Sequence, residues 1–109
     1  MNLPELEKKA ESALKYLHSE AGNHAVLRAQ ADHLESWCKV ELARLKGLVI
    51  GLSAVAATDE ALRHPQYLIA LDALKIAREQ WYEAQFKREA ASSIIEAWRT
   101  ACSNARANV

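Results

Sequence analysis

The most regular feature of this sequence is a seven-residue repeat of apolar positions in its last third. From Pro65 onwards there is no further proline and no glycine. Two positions of the repeat, three residues apart, form what we call the α3 seam: Tyr67, Leu74, Trp81, Arg88, Ile95 and Cys102, and Ala70, Ala77, Ala84, Ala91, Trp98 and Ala105. Such a repeat predicts a long α-helix that packs lengthwise on another helix. Over residues 66–105 it would measure about 60 Å, so its packing partner must also be long.

The same helix carries a second apolar band beside the seam. Its members, here called the second band, are Ile69, Ala73, Ile76, Phe86, Ala90, Ile94, Ala97 and Ala101. A helix with two apolar sides needs neighbours on both. An earlier helix of the same chain would cover one side. We expect a homodimer, the commonest kind of oligomer, or a higher homo-oligomer to cover the other.

The earlier part of the sequence predicts two more helices. The first would begin at Pro4, where a missing amide donor costs nothing, and cover about residues 4–21. Gly22 and Asn23 tolerate the backbone conformation of a helix C-terminus, so we expect a stop there. One helix continuing through Gly22 is the alternative. A second helix, over about residues 24–52, follows from apolar residues at steps of three and four: Leu27, Ala31, Leu34, Cys38, Leu42, Leu45, Val49 and Leu52.

Two breaks are predicted between this second helix and the last one. Gly47 and Gly51 have a spacing that lets two helices approach closely, but a small-residue connector is the preferred interpretation. Thr58 is a suitable N-cap and would open a short turn over residues 59–63. His64 precedes a proline and therefore avoids helical dihedral angles. It would end the turn and cap the last helix, with the proline as the first helical residue.

These elements predict an all-α fold in a single domain over residues 1–109. Strong helix formers dominate, and three glycines and two prolines leave little material for tight turns. The long helices over 24–52 and 66–105 would form an antiparallel, coiled-coil-like hairpin. The helix over 4–21 would pack alongside as an additional N-terminal helix.

Charge and cysteine content narrow the functional classes. Fourteen basic and fourteen acidic residues give a net charge of zero, whereas proteins that neutralise phosphates are usually strongly basic. Cys38 and Cys102 both lie on apolar helical faces, so free buried thiols are favoured over a disulfide. There is no signal-peptide pattern, and the longest apolar run, 48–57, is too short to cross a bilayer. We therefore expect a cytoplasmic protein that does not enter membranes.

No pattern of catalytic, cofactor-binding or metal-binding residues is present. The sequence has no Gly-rich phosphate loop, CxxC, HExxH or GxSxG motif. Two glutamate–histidine pairs, Glu20 with His24 and Glu60 with His64, have a four-residue spacing. Di-metal bundles use a three-residue spacing instead. Surface or capping roles are therefore favoured for both histidines, and we expect no enzyme activity, metal or cofactor.

The candidate functional residues are interface residues. Tryptophan at a seam position is typical of a core or oligomer anchor. The proposed set is Trp37, Trp81, Arg88, Ile94, Ile95 and Trp98. Arg88 either pairs with a carboxylate and sets the register, with Asp32, Glu35 and Glu41 as candidate partners, or extends to water over its aliphatic stem.

A second set of residues would serve a different function. Lys87, Arg88, Arg99 and Arg106, with Trp98 as a stacking platform, are the residues that a single-stranded nucleic acid would contact. Zero net charge counts against this alternative.

The C-terminal half resembles small helical proteins of tailed bacteriophages and prophages. The resemblance covers about residues 58–107 and rests on His64-Pro65-Gln66-Tyr67, Leu71, Leu74, Ala77, Glu96-Ala97-Trp98-Arg99 and Asn104-Ala105-Arg106-Ala107. Such proteins are encoded among early genes for DNA recombination and replication and mostly lack an assigned activity. The resemblance implies the host cytoplasm and an accessory factor that binds a phage or host protein of DNA metabolism. A structural virion component is a further alternative.

Overall fold

The structure, a computed structural model that describes residues 2–108, is all-α. It contains α1 (Leu3–Gly47), α2 (Ala54–Leu62) and α3 (Pro65–Ala107). The two long helices pack against each other as a hairpin, with the short α2 between them in the chain. The predicted all-α fold and the long-helix hairpin are therefore confirmed.

Side chains cap the start of both long helices. Asn2 Oδ1 accepts a hydrogen bond of 3.0 Å from the backbone N–H of Glu5, and Asn2 Nδ2 donates to the Glu5 carboxylate at 3.3 Å. His64 Nδ1 accepts from the backbone N–H of Gln66 at 3.1 Å. These bonds satisfy amides that have no partner within the first turn of a helix. The predicted cap at His64 and helix start at Pro65 are both confirmed.

The predicted stop at Gly22 and Asn23 is wrong, because α1 continues through both residues. Gly22 lacks the positive φ of a helix C-cap, and Asn23 donates to the Glu20 carboxylate at 3.1 Å. A glycine within a helix costs only about 1 kcal/mol relative to alanine. A continuous seven-residue repeat outweighs that cost: Ala10, Leu17, His24, Ala31, Cys38 and Leu45 are all buried or half-buried. The separate N-terminal helix expected over 4–21 is therefore the first half of α1.

The connector also differs from its predicted form. Helix α1 ends at Gly47 rather than near residue 52, and Gly51 takes the left-handed conformation with φ of 83°. Ser53 caps α2 by accepting from the N–H of Ala56 at 3.2 Å, so α2 begins before the predicted turn at 59–63. Thr58 is inside α2, where its hydroxyl donates to the Ala54 carbonyl at 2.8 Å. Helix α2 begins before the N-cap predicted at Thr58, because the alanines that follow Ser53 favour helix.

The chain forms two compact units, each made from parts of both long helices. The first comprises Met1–Ala25 and Tyr82–Val109, of which the structure describes 2–25 and 82–108. Its core is the buried cluster of Ala13, Ala91 and Ile95, against which Tyr16, Leu17 and Ile94 pack. Small side chains at the α3 seam let the two helix backbones approach closely.

The second unit, Val26–Trp81, includes α2. Its core cluster contains Cys38, Ala70 and Leu74, with Leu34 and Tyr67 packed against it. Helix α2 contributes the buried Ala57 and Ala61, and Leu45 is almost fully buried. Both cysteines of the chain are free thiols, as expected. Burial raises the pKa of the Cys38 thiol, and the positive charge of Arg78 opposes that rise.

Alanine should have opposite effects on stability at Gly22, which lies within a helix, and at Gly51, which lies in a turn. Gly22→Ala should stabilise the chain by about 0.5–1 kcal/mol, because a Cβ at this helical position meets no atom within 4 Å. Gly51→Ala should instead destabilise it by about 1 kcal/mol or more, because alanine is strained at positive φ. Urea unfolding of both variants measures the two effects. A loss of stability in Gly22→Ala would contradict the unbroken α1.

Candidate interaction surface

The second band of α3 remains largely uncovered by the chain's own residues. Ile69 is 70 % exposed and Phe86 is 71 % exposed, and Ile76, Ala90 and Ala97 are also exposed. Ala73, Ile94 and Ala101 are half-buried at the side that borders the seam. An isolated exposed apolar residue is ordinary, but several large ones exposed along one helix are typical of an interaction site.

In the first unit, the band forms one wall of an apolar groove of about 590 Å³. Ala90, Ala91 and Ile94 of α3 line it together with Ala13 and Tyr16 of α1. The remaining lining residues are polar: Lys8, Lys9, Ser12 and Lys87. The groove therefore has an apolar floor with cations at its rim.

The second unit has its own groove, of about 480 Å³. Its α3 wall consists of Ala73, Ile76, Ala77 and Gln80, and its α1 wall of Gln30, His33 and Leu34. Trp37 follows His33 by one helical turn and is 48 % exposed. The groove is thus lined by both polar and apolar side chains on each helix.

The structure places the six predicted interface residues in different surroundings. Ile95 lies in the core cluster with Ala13 and Ala91 and packs within its own chain, and Ile94 packs against that cluster from the edge. Trp81 and Trp98 are half-buried at the seam. Trp37 and Arg88 are exposed. Of the six, Ile94 lines the groove of the first unit, and Trp37 lies one helical turn beyond His33 of the second groove.

Arg88 does not pair with Glu35 or Glu41, two of the expected carboxylates. Glu35 lies 3.7 Å from Arg78, and Glu41 pairs with Arg44. The exposure of Arg88 fits the alternative in which its guanidinium extends to water.

Of the residues predicted to contact nucleic acid, two have their charge offset by a local partner. Lys87 Nζ lies 3.2 Å from the Glu83 carboxylate, and Arg99 donates to Glu96 at 3.0 Å. Arg106 is exposed in the last turn of α3. These residues do not form an uninterrupted basic surface, so the geometry adds no support for a phosphate-binding face.

His24 is buried, although its spacing from Glu20 predicts a surface or capping role. It is 6 % exposed, and its Nε2 lies 3.3 Å from the Tyr16 hydroxyl, within hydrogen-bonding distance. The rings meet edge-on with centroids 5.8 Å apart. The seven-residue repeat from Ala10 to Leu45 includes His24 and indicates that it is buried. A helix stop at Gly22 would interrupt this repeat.

A charged contact in the second unit connects the end of α1 to the start of α3. The Arg44 guanidinium donates to both oxygens of Glu41, with one bond of 3.2 Å, and also to the Gln66 side chain. Glu41 is one of the two buried polar residues of the described chain. The hydrogen bonds and the charge of Arg44 lower the pKa of the Glu41 carboxyl, while desolvation opposes that shift.

Within 2–108, no three side chains of His, Cys, Asp or Glu come together as a set of metal ligands. No helix in that range combines the length and the apolar character needed to cross a bilayer.

Glu41→Gln should change how stability depends on pH. In the folded chain the pKa of Glu41 lies below its ordinary value of about 4.5, so the ionised carboxylate stabilises the fold above that pH. The contribution is lost as pH falls through the lowered pKa. Urea unfolding at a series of pH values should therefore show that the difference between wild type and Glu41→Gln shrinks in acid.

Glu96→Gln is the matched control, because Glu96 pairs with Arg99 at the same three-residue spacing on an exposed surface. Exposed pairs contribute only about 0–1 kcal/mol, so this variant should unfold much like wild type. A destabilisation by Glu41→Gln that stays constant down to the lowest pH would contradict the assignment.

Comparison of the chain with protein-family models, with curated proteins and with solved structures gives no match. The exposure, shape and charge of its own residues are therefore the basis for assigning a function.

Proposed function

We propose that this chain is a non-enzymatic association module that assembles through the second band of α3. The observation that carries the proposal is the exposure of large apolar side chains on α3, of which Ile69, Ile76 and Phe86 are the largest. Ile76 and Ile94 of the second band each line a groove within their own unit. Helical partners commonly bind by laying an apolar face into such a groove.

The amount of exposed surface supports association. The chain exposes 7975 Å². A folded monomer of 12.1 kDa typically exposes about 6,000 Å². The difference, roughly 2,000 Å², compares with the ~800 Å² that each partner buries in a standard interface. An interface of that size would cover less than half of the difference.

The size of the apolar side chains sets the free energy available for association. Fully burying an isoleucine or phenylalanine side chain contributes about 1.5–3 kcal/mol. Ile69, Ile76 and Phe86 are each more than half exposed, so most of that contribution is still available to an interface. Three such residues in one row can offset a substantial part of the entropy lost on association.

The biological setting of this association follows from the resemblance of the C-terminal half to phage and prophage proteins. It supports an accessory factor in the host cytoplasm that assembles with itself or with a protein of DNA metabolism. Nucleic-acid binding is the weaker alternative, since the net charge is zero and Lys87 and Arg99 are locally paired.

Two isoleucine-to-aspartate variants test the proposal. Ile69→Asp places a charge in the second band, whereas Ile50→Asp changes an isoleucine that is even more exposed, at 93 %, in the connector between α1 and α2. Light scattering on a sizing column over a wide concentration range should show at least tenfold weaker association for Ile69→Asp, about 1.4 kcal/mol or more. Ile50→Asp should behave as wild type.

Circular dichroism spectra of both variants should match wild type, because neither side chain lies in a core cluster. Equal association of the two variants would contradict a role for the band. Ile94→Asp is a less selective probe, since Ile94 also packs against the core of the first unit.

A further inference from the structure

The groove of the first unit combines an apolar floor with a cationic rim. Ile94 of the second band is part of the floor, and Lys8, Lys9 and Lys87 lie at the rim. We infer that this groove binds an acidic amphipathic helix of another protein, a step that rests on the proposed association function. The apolar row of that helix would lie on the floor, and its carboxylates would face the lysines.

The positive charge of the groove is a local concentration and not a property of the whole unit. The first unit has three basic and four acidic residues in its α1 part, and four basic and three acidic residues in its α3 part. Its side chains therefore carry no net charge. Within the described ranges 2–25 and 82–108, three of the basic residues line the groove and none of the acidic ones does. A partner with carboxylates beside its apolar row would meet the opposite charge there, whereas a basic partner would be repelled.

Two of the three rim lysines have no carboxylate partner within the part of the chain that the structure describes. Lys87 Nζ lies 3.2 Å from the Glu83 carboxylate, so much of its charge is already offset. Lys8 and Lys9 are exposed on α1 and take part in none of the ion pairs among residues 2–108. These two ammonium groups are therefore the ones that a carboxylate of a partner would contact.

The length of the groove corresponds to two turns of a helix. Its α1 wall extends from Lys8 to Tyr16, and its α3 wall extends from Lys87 to Ile94. At about 1.5 Å per residue, these walls measure roughly 12 Å and 11 Å. The apolar positions i, i+3 or i+4, and i+7 of a partner helix extend over about the same distance. One such set of apolar side chains would therefore cover the floor from end to end.

The floor of the groove suits a helix better than a small anionic amphiphile. Ala13, Ala90 and Ala91 contribute small side chains to it, which allow the backbone of another helix to approach closely. Pockets for small ligands enclose most of the ligand surface, whereas this groove is open to solvent and Ala90 is exposed. A helix lying on the groove would contact both α1 and α3, as neighbouring helices do in a bundle.

Two synthetic peptides test the charge of the partner. The probe is a fluorescently labelled peptide of about 18 residues, with leucine at steps of three and four and glutamate on both flanks of the leucine row. Its control has lysine in place of every glutamate. Fluorescence anisotropy with the full chain should show that the acidic peptide binds at least tenfold more tightly than the basic one. Equal binding of the two peptides would overturn the inference.

A scrambled acidic peptide and an oligothymidylate separate an amphipathic helix from other anions. The scrambled peptide has the same composition as the probe but no apolar row, and the oligothymidylate is a single-stranded polyanion. Both should bind at least tenfold more weakly than the probe, because neither presents an apolar row to the floor. If either binds as tightly as the probe, the lysines attract anions in general and the inference is overturned.

Two matched glutamate substitutions test where the probe binds. Ala90 and Ala97 are exposed alanines of the second band, seven residues apart on α3, and of the two it is Ala90 that lines the groove. Ala90→Glu should weaken binding of the acidic peptide at least tenfold, because it places a carboxylate on the apolar floor. Ala97→Glu should stay within about twofold of wild type, since its charge is about 10 Å away and screened by salt. Equal losses in the two variants would contradict binding in the groove.

Charge reversal at the rim has a control of its own. Lys9→Glu reverses a rim charge, whereas Lys39→Glu reverses an exposed lysine of α1 in the second unit. Lys9→Glu should weaken the acidic peptide about threefold to tenfold and strengthen the basic peptide, because the local charge changes sign. Lys39→Glu, with the same change in net charge, should bind both peptides as wild type does. Losses of the same size in both variants would overturn the inference.

The outcomes distinguish this inference from the proposed function, because Ile69 belongs to the second unit and the groove to the first. If Ile69→Asp weakens association but the chain does not prefer the acidic amphipathic peptide, the inference falls while the proposed function stands. If Ile69→Asp and Ile50→Asp associate equally and the peptides bind equally, both fall.

Discussion

The packing of the small-residue seam of α3 against α1 is the constraint on which the rest of the structure depends. Ala70, Ala77, Ala84 and Ala91 recur every seven residues and are all buried. Alanine allows close approach of two helices and costs little side-chain entropy. It also buries little apolar area, so a hairpin built on alanine has a narrow core and leaves the flanks of both helices uncovered.

The uncovered flanks explain why the largest apolar side chains lie outside the core. Ile69, Ile76 and Phe86 are exposed, whereas the core clusters are built mainly from alanine, cysteine and a few branched residues. The narrow, alanine-rich core and the exposed second band have the same physical origin. In a two-helix arrangement each helix contacts its neighbour along only one line.

Buried polar residues of α1 limit the ways in which the two long helices can pair. His24 and Glu41 are buried on α1, and each has a specific hydrogen-bond partner, Tyr16 and Arg44 respectively. A shift of register would separate neither of these local pairs, but it would move the buried polar groups against different residues of α3. The bond from Arg44 to Gln66 does cross between helices and fixes the start of α3 relative to the end of α1.

The sequence by itself determined the helical class, the break at His64, the start of α3 and the composition of both apolar sides of α3. These are properties of local propensity, capping and periodicity, which act over a few turns of helix. Only the tertiary structure decided that α1 runs through Gly22, and the buried position of His24 follows from that continuity. A glycine costs about 1 kcal/mol in any helix, and whether that cost breaks the helix depends on the packing gained on both sides of it. Which apolar side of α3 faces α1 was likewise decided by the fit of the alanines, since hydrophobicity alone does not distinguish a seam from a band.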